Sequence, residues 1–221
     1  MNRAEKRRNR KRTDKGFKKT KLIQASSLVA AKRDRMWAIQ KATALAVQHH
    51  QAGDLLKAES IYQQILEDDP NQPIVLHLLG LIAHQAGKNN IAVNLINKAI
   101  AINPDYVEAH FNLGNALQEL GKFDEAVKSF RKAVSIKPDY VEALSYLGEV
   151  LQGCGEIEDA VTSYKKAIVI EPDNAGLHNN LGNALCELGK HDEAVECYHK
   201  TLSIKPDYAE AHCNLGLALH E

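Results

Sequence analysis

The chain has 221 residues, a hydrophobic content of 44% and a formal net charge of zero, an ordinary composition for a water-soluble protein. The charge is unevenly distributed: residues 1–35 contain 14 Lys/Arg and 3 Asp/Glu, whereas residues 36–221 contain 14 Lys/Arg and 25 Asp/Glu. No apolar run approaches the roughly 18 residues that a membrane span needs, and no secretion signal is recognisable. The four cysteines form no CxxC pair that would indicate a zinc site. We therefore expect a cytoplasmic protein without a membrane partner.

The basic N-terminal segment, residues 1–21, contains one aromatic residue and has no apolar periodicity. It buries too little apolar surface to offset the entropy of ordering it, so we predict a disordered tail. Such a tail can also bind RNA, anionic lipid or an import receptor, but nucleic-acid sites usually interleave aromatic side chains, so nucleic acid is the less favoured partner. Residues 22–38 are predicted to be a linker and the start of an N-terminal helix, in which Trp37 is expected to close the end of the fold by packing.

The remainder of the chain, residues 39–221, repeats with a fixed period of 34 residues. No residue is inserted or deleted between copies. A period of this length indicates stacked helical hairpins. The copies comprise residues 39–72, 73–106, 107–140, 141–174, 175–208 and the partial copy 209–221.

The central copy, residues 107–140, predicts two helices and two tight turns. Apolar residues recur at helical spacing up to Gly121, a residue type suited to the position after a helix end. A second apolar series runs over residues 123–136 and stops before Pro138. We expect Asp139 to cap the next helix, with Glu142 completing a capping box.

Small residues recur at two places in every complete copy, where paired helices are expected to approach closely. The first helix carries a glycine in five of the copies, and the second helix carries an alanine. Neither helix can bury its apolar face alone, so consecutive copies must stack. The glycines are Gly80, Gly114, Gly148, Gly182 and Gly216.

This pattern resembles the tetratricopeptide repeat (TPR), and the resemblance covers residues 39–221. The preferred residues of that family match the central copy at Leu113, Gly114, Ala126, Phe130, Ala133 and Pro138. The resemblance implies an all-α, right-handed superhelical solenoid whose first helices line a concave groove that binds a protein or peptide. Stretches such as NNLGNALCELGKHDEAV are also similar to the repeats of O-linked N-acetylglucosamine transferases and of bacterial TPR–transferase fusions.

Groove contacts are predicted at positions 2, 5, 6, 9 and 13 of each copy, which share one side of the first helix. Asparagine recurs there, and its side chain can pair with the backbone of an extended peptide of any sequence. The resembling transferases are expected to use such an asparagine ladder. The alternative is that asparagine is merely tolerated on a solvated face. The predicted groove residues are Glu108, Phe111, Asn112, Asn115, Asn179, Asn180, Asn183 and Asn214.

No catalytic motif occurs in the sequence, so we expect no enzymatic activity of this chain and no cofactor. His110, His178 and His212 share one repeat position and lie too far apart to bind one metal ion, so we interpret them as packing residues.

The favoured function is a protein-interaction scaffold. The alternative is the N-terminal recognition region of a larger glycosyl- or sulfotransferase whose catalytic domain is absent from this chain. The partial last copy has a first helix without its second, from which we expect a fragment of a longer protein that self-associates through an open C-terminal end.

Overall fold

The structure is a computed structural model that describes residues 30–220. The predicted disordered tail, residues 1–21, lies outside this range. The regular structure of the described residues is entirely helical and contains no strand, as the sequence predicted. The described residues divide into two compact units, residues 30–70 and residues 71–220.

The first unit is a helical hairpin in its described part. Helix α1 covers residues 30–51, and α2 covers Leu55–Asp68. Ala46 and Tyr62 are fully buried. Trp37 is 63% exposed, and the ammonium of Lys41 lies 5.3 Å from its ring centroid. The predicted packing role of Trp37 is therefore wrong, because its ring lies on the solvent side of α1.

The second unit follows the predicted order of helix pairs. Each helix packs mainly against the helix before it and the helix after it, as in a solenoid. The helices of its described residues are α3 (Pro73–Gln85), α4 (Asn89–Ile102), α5 (Val107–Glu119), α6 (Phe123–Ile136), α7 (Val141–Gly153), α8 (Ile157–Ile170), α9 (Ala175–Glu187), α10 (His191–Ile204) and α11 (Ala209–Ala218).

The turn inside each hairpin depends on a glycine with left-handed backbone. Gly121 has φ +70°, and its N–H donates to the carbonyl oxygen of Gln118 at 2.9 Å. The next N–H, from Lys122, donates to the carbonyl oxygen of Leu117 at 2.9 Å. These bonds satisfy carbonyls that the helix end leaves open, and only glycine adopts this φ without strain. The predicted end of the first helix is thus confirmed.

The capping boxes predicted at the starts of the first helices are not formed. Helix α7 begins at Val141, so the cap position is Tyr140, and no side chain caps the helix. Asp139 lies inside the preceding turn, which the N–H of Tyr140 closes by donating to the carbonyl oxygen of Lys137 at 3.2 Å. Tyrosines Tyr106 and Tyr208 occupy the same position before α5 and α11.

Glycines in the first helices allow the paired helices to approach closely. A Cβ at Gly114 would lie 2.6 Å from Phe130, and one at Gly148 would lie 2.6 Å from Tyr164. The same substitution at Gly216 would meet no atom within 4 Å, since no described helix follows α11. The predicted close approach is confirmed wherever the second helix of the pair is described.

Candidate functional site

The predicted groove residues of the second unit lie on one surface. We call the groove face the surface formed by positions 2, 5, 6, 9 and 13 of α3, α5, α7, α9 and α11. Consecutive first helices are in direct contact along it, including α3 with α5, α7 with α9 and α9 with α11. Most of the hydrogen bonds that join these helices connect residues 31 or 35 positions apart, three fewer or one more than the repeat length. The bond between Asn183 and Glu210 spans 27 positions.

Three of the predicted asparagines meet between α9 and α11. Asn214 Nδ2 donates to Asn183 Oδ1 at 2.8 Å, and the hydroxyl of Tyr198 donates to the same oxygen at 2.9 Å. Asn179 Nδ2 and Asn183 Nδ2 both donate to Glu210 Oε1, at 3.0 and 3.3 Å. We call these five residues the amide network. Its asparagines bind one another and Glu210 rather than facing solvent independently.

The burial of Asn179 differs from the sequence expectation. Its side chain is fully buried, and its Oδ1 has no hydrogen-bond partner. Position 5 of each copy lies at the seam between consecutive first helices, and His77, at the same position in α3, is also buried. Asn179 therefore holds α9 against α11 and offers no exposed atom to a ligand in this conformation.

Asn112 is held by a buried histidine. Its Nδ2 donates to Nε2 of His77 at 2.7 Å, so the histidine carries its proton on Nδ1, which lies 3.0 Å from the Tyr106 hydroxyl. Burial lowers the pKa of His77 to about 4, against an opposing effect of Glu108. Burial and Glu108 together raise the pKa of Tyr106 to about 12. His77 is thus a neutral hydrogen-bonding residue near neutral pH.

Phe111 belongs to a group of four rings in the middle of the groove face. Its centroid lies 5.1 Å from Tyr140, 5.5 Å from Tyr146 and 5.8 Å from Phe130. Phe130 also stacks on Tyr146 at 6.0 Å. We call these residues the aromatic cluster. Phe111 is half-buried, and the most exposed ring is that of Tyr146 at 40%.

Two of the predicted asparagines, Asn180 and Asn115, form no side-chain hydrogen bond within residues 30–220. Asn180 lies half-exposed beside a cavity of about 420 Å³ between α7 and α9. Of the other predicted residues, Glu108 is exposed, and Asn115 is half-buried with an unpartnered Oδ1. The cavity is lined by Glu149, Gln152, Gly153, Tyr164, Asn180, Asn183 and Glu187.

Two glutamines bridge consecutive first helices, and the sequence analysis missed both. Gln118 Nε2 donates to Glu149 Oε1 at 3.3 Å, and Gln152 donates to Glu187. These pairs are 31 and 35 residues apart. In the sequence, these bridges correspond to polar residues separated by 31 or 35 positions rather than by the repeat length of 34.

The three histidines at one repeat position bind the chain itself. His110 Nε2 lies 2.8 Å from the carbonyl oxygen of Pro104. His178 and His212 repeat this contact with Pro172 and Pro206 at 2.9 and 2.8 Å. They join α5, α9 and α11 to the turns before them, in agreement with a packing role. Residues 30–220 contain no group of three or more side chains placed to bind a metal ion, and none of their helices could cross a membrane.

Comparison with family models supports the repeat assignment. A model described as "TPR repeat" matches residues 80–121, 154–188 and 182–221, and one described as "Tetratricopeptide repeat" matches residues 107–140. A search of curated proteins found no match to the sequence.

Several solved structures share the fold. A crystal structure of MamA is 26% identical with a TM-score of 0.70, over 78% of this chain and 94% of MamA. YrrB, described as a TPR protein with an unusual peptide-binding site, is 20% identical with a TM-score of 0.71, over 81% and 96%. The thermophilic TPR protein TTC0263 of Thermus thermophilus is 24% identical with a TM-score of 0.59, over 83% and 100%.

Proposed function

Because the chain belongs to the tetratricopeptide repeat family, we propose that its second unit is a scaffold that binds an extended segment of a partner protein along the groove face. The observation that carries this proposal is the continuity of that face. Amide, aromatic and carboxylate side chains from consecutive first helices are in direct contact there, from His77 to Asn214. The peptide-binding site named for YrrB, a protein of similar fold, agrees with this role.

The amides retain bonding capacity for a peptide backbone. An asparagine side chain has two N–H donors and an oxygen with two lone pairs. Asn112 and Asn214 each use one donor within the protein, and Asn180 uses none. An extended chain exposes alternating N–H and C=O groups over its length, so amides that recur once per repeat can bind it without reading its sequence. We infer that Asn180 is the most available of these contacts.

Side-chain amide signals in NMR spectra test this proposal. A pool of short extended peptides of degenerate sequence should shift the amide signals of Asn112, Asn180 and Asn214. The signals of Asn94 and Asn97, exposed on the second helix α4, should not move. Peptide-induced shifts confined to second helices would place binding elsewhere and contradict the proposal.

Substitution provides a matched pair for the same measurement. Asn180→Ala should weaken binding, whereas Asn97→Ala should not, and both variants should keep the helicity and the free energy of unfolding of the wild type within about 0.5 kcal/mol. Equal affinity of the two variants would remove Asn180 from the binding surface.

The transferase alternative would use the same groove face within a longer protein. No contact or charge among residues 30–220 favours it over a scaffold. We therefore propose the scaffold role for this chain.

A further inference from the structure

Charged side chains are segregated between the groove face and the rest of the second unit. The lysines and arginines of this unit all lie on second helices or in turns, where, for example, Arg131 pairs with Asp159 at 2.7 Å. No lysine or arginine among residues 30–220 forms an ion pair with a glutamate of the groove face. These glutamates are Glu108, Glu119, Glu142, Glu149, Glu187 and Glu210.

The cavity of about 420 Å³ between α7 and α9 brings two of these glutamates together. Glu149 and Glu187 both line it, and each receives one hydrogen bond, from Gln118 and Gln152 respectively. The amides orient the carboxylates but add no positive charge. Burial raises the pKa of the Tyr164 hydroxyl, and Glu149 and Glu187 raise it further, so both negative charges act within the cavity.

The equivalent places in neighbouring repeats are less suited to a cation. One repeat later, a cavity of about 360 Å³ has Asn183 at the position of Glu149 and Leu217 at the position of Asn183. One repeat earlier, the ring of Tyr146 stands where Asn180 lines the cavity. The paired carboxylates are therefore a feature of the α7–α9 cavity.

We propose that the α7–α9 cavity binds an arginine side chain of the extended peptide, with the guanidinium between Glu149 and Glu187. The planar guanidinium presents several N–H donors in a fork that matches carboxylate oxygens, which a lysine ammonium does not. Asn180 adds an acceptor oxygen at the cavity wall, because its side chain has no partner among the described residues. The exposed ring of Tyr146, one turn before Glu149 on α7, offers a surface for the apolar stem. This inference rests on the proposed function, since the rest of the peptide lies along the groove face.

The test uses the full chain and fluorescent peptides of degenerate sequence with one fixed central residue. Peptides with arginine should bind about tenfold or more tightly than peptides with citrulline, its neutral isostere, as expected for hydrogen bonds to charged groups. The advantage should shrink at high salt, and lysine peptides should fall between the two. The measurement is fluorescence anisotropy at low and high salt.

Two double variants distinguish the effect of the cavity carboxylates from that of the overall negative charge of the protein. Glu149→Gln/Glu187→Gln should abolish the preference for arginine over citrulline and keep the affinity for citrulline peptides. Glu158→Gln/Glu196→Gln removes the same charge from exposed positions on α8 and α10 and should keep the preference. Circular dichroism should confirm that both variants remain folded.

The outcomes distinguish the two proposals. Equal binding of arginine and citrulline peptides, or equal loss in both double variants, would overturn the arginine site and leave peptide binding intact. Failure of every peptide to bind would overturn both proposals.

Discussion

The interface between α5 and α7 and the interface between α9 and α11 occupy equivalent places two repeats apart, but different chemistry fills them. Phe111 packs on Tyr146 in the first, whereas Asn179 and Asn214 join the amide network in the second. The neighbouring ring is Phe130 in one and Tyr198 in the other. Helix pairing is the same in both, since a Cβ on the facing glycine would lie 2.6 Å from either ring.

This comparison separates two sets of positions. The glycine and the ring beneath it set how closely the two helices of one hairpin approach. The seam between consecutive first helices tolerates either rings, which gain from burial, or amides, which must bind one another. The side chains of the groove face can therefore change without altering how the two helices of each hairpin pack.

The largest difference should come from removing the buried ring of the aromatic cluster. Phe130→Ala should lower the free energy of unfolding by about 3–5 kcal/mol, because Phe130 is fully buried and contacts Phe111 and Tyr146. Phe123→Ala removes a 46% exposed ring from the same helix and should have a much smaller effect. Urea unfolding followed by circular dichroism measures both, and equal losses would contradict the burial argument.

A third interface, between α3 and α5, extends the comparison to pH. The folded protein disfavours protonation of His77, whose pKa falls from 6.5 to about 4. The unfolded chain therefore binds the extra proton, so the free energy of unfolding should fall as pH drops from 6.5 towards 4, by at most about 3 kcal/mol. The stability that neutral His77 contributes is fully present above pH 6.5.

Urea unfolding at about pH 7 and about pH 4.5 measures this effect. His77→Gln should lose less stability on acidification than the wild type. His199→Gln, at an exposed position on α10, should behave as the wild type does. If the wild type, His77→Gln and His199→Gln all lose the same stability on acidification, the acid sensitivity comes from groups other than His77.

The contact between a glycine and a buried ring is the same in both regions, so its loss should destabilise both by the same amount. Gly114→Ala and Gly182→Ala should each lower the free energy of unfolding by about 1–3 kcal/mol, because the new methyl group meets a buried ring. Gly216→Ala, with no atom within 4 Å of the new methyl group, should not lower the free energy of unfolding and should raise it by up to about 1 kcal/mol, because alanine favours the helix more than glycine does. Thermal unfolding of the three variants tests the set, and a clear difference between the first two would show that this contact is not the same in both regions.

The smallest expected effect comes from removing one hydrogen bond of the amide network. Tyr198→Phe should cost about 1 kcal/mol, since it removes the 2.9 Å hydrogen bond to Asn183 Oδ1 but keeps the ring. Tyr164→Phe should cost less, because the Tyr164 hydroxyl donates to Gln152 over 3.4 Å. Chemical unfolding resolves the two, and the reverse order would argue against a stabilising network.

Local rules predicted most of the fold. The position of Gly121, the helix over residues 123–136 and the close approach at Gly114 follow from backbone conformation, helical periodicity and side-chain volume, which are properties of one copy. The capping prediction at Asp139 failed because Asp139 lies in the turn closed by Tyr140, two residues before the helix begins.

The sequence by itself determined the repeat, the helix pairs and the family, because the residues that indicate each of them recur at a fixed spacing along the chain. Only the tertiary structure decided which groove side chains are available. It buries Asn179, engages Asn112 with His77 and leaves Asn180 beside the carboxylates of Glu149 and Glu187. The physical reason is that these contacts join neighbouring helices 31 or 35 residues apart. That offset depends on how one repeat is rotated and shifted against the next, and no pattern within a single helix contains it.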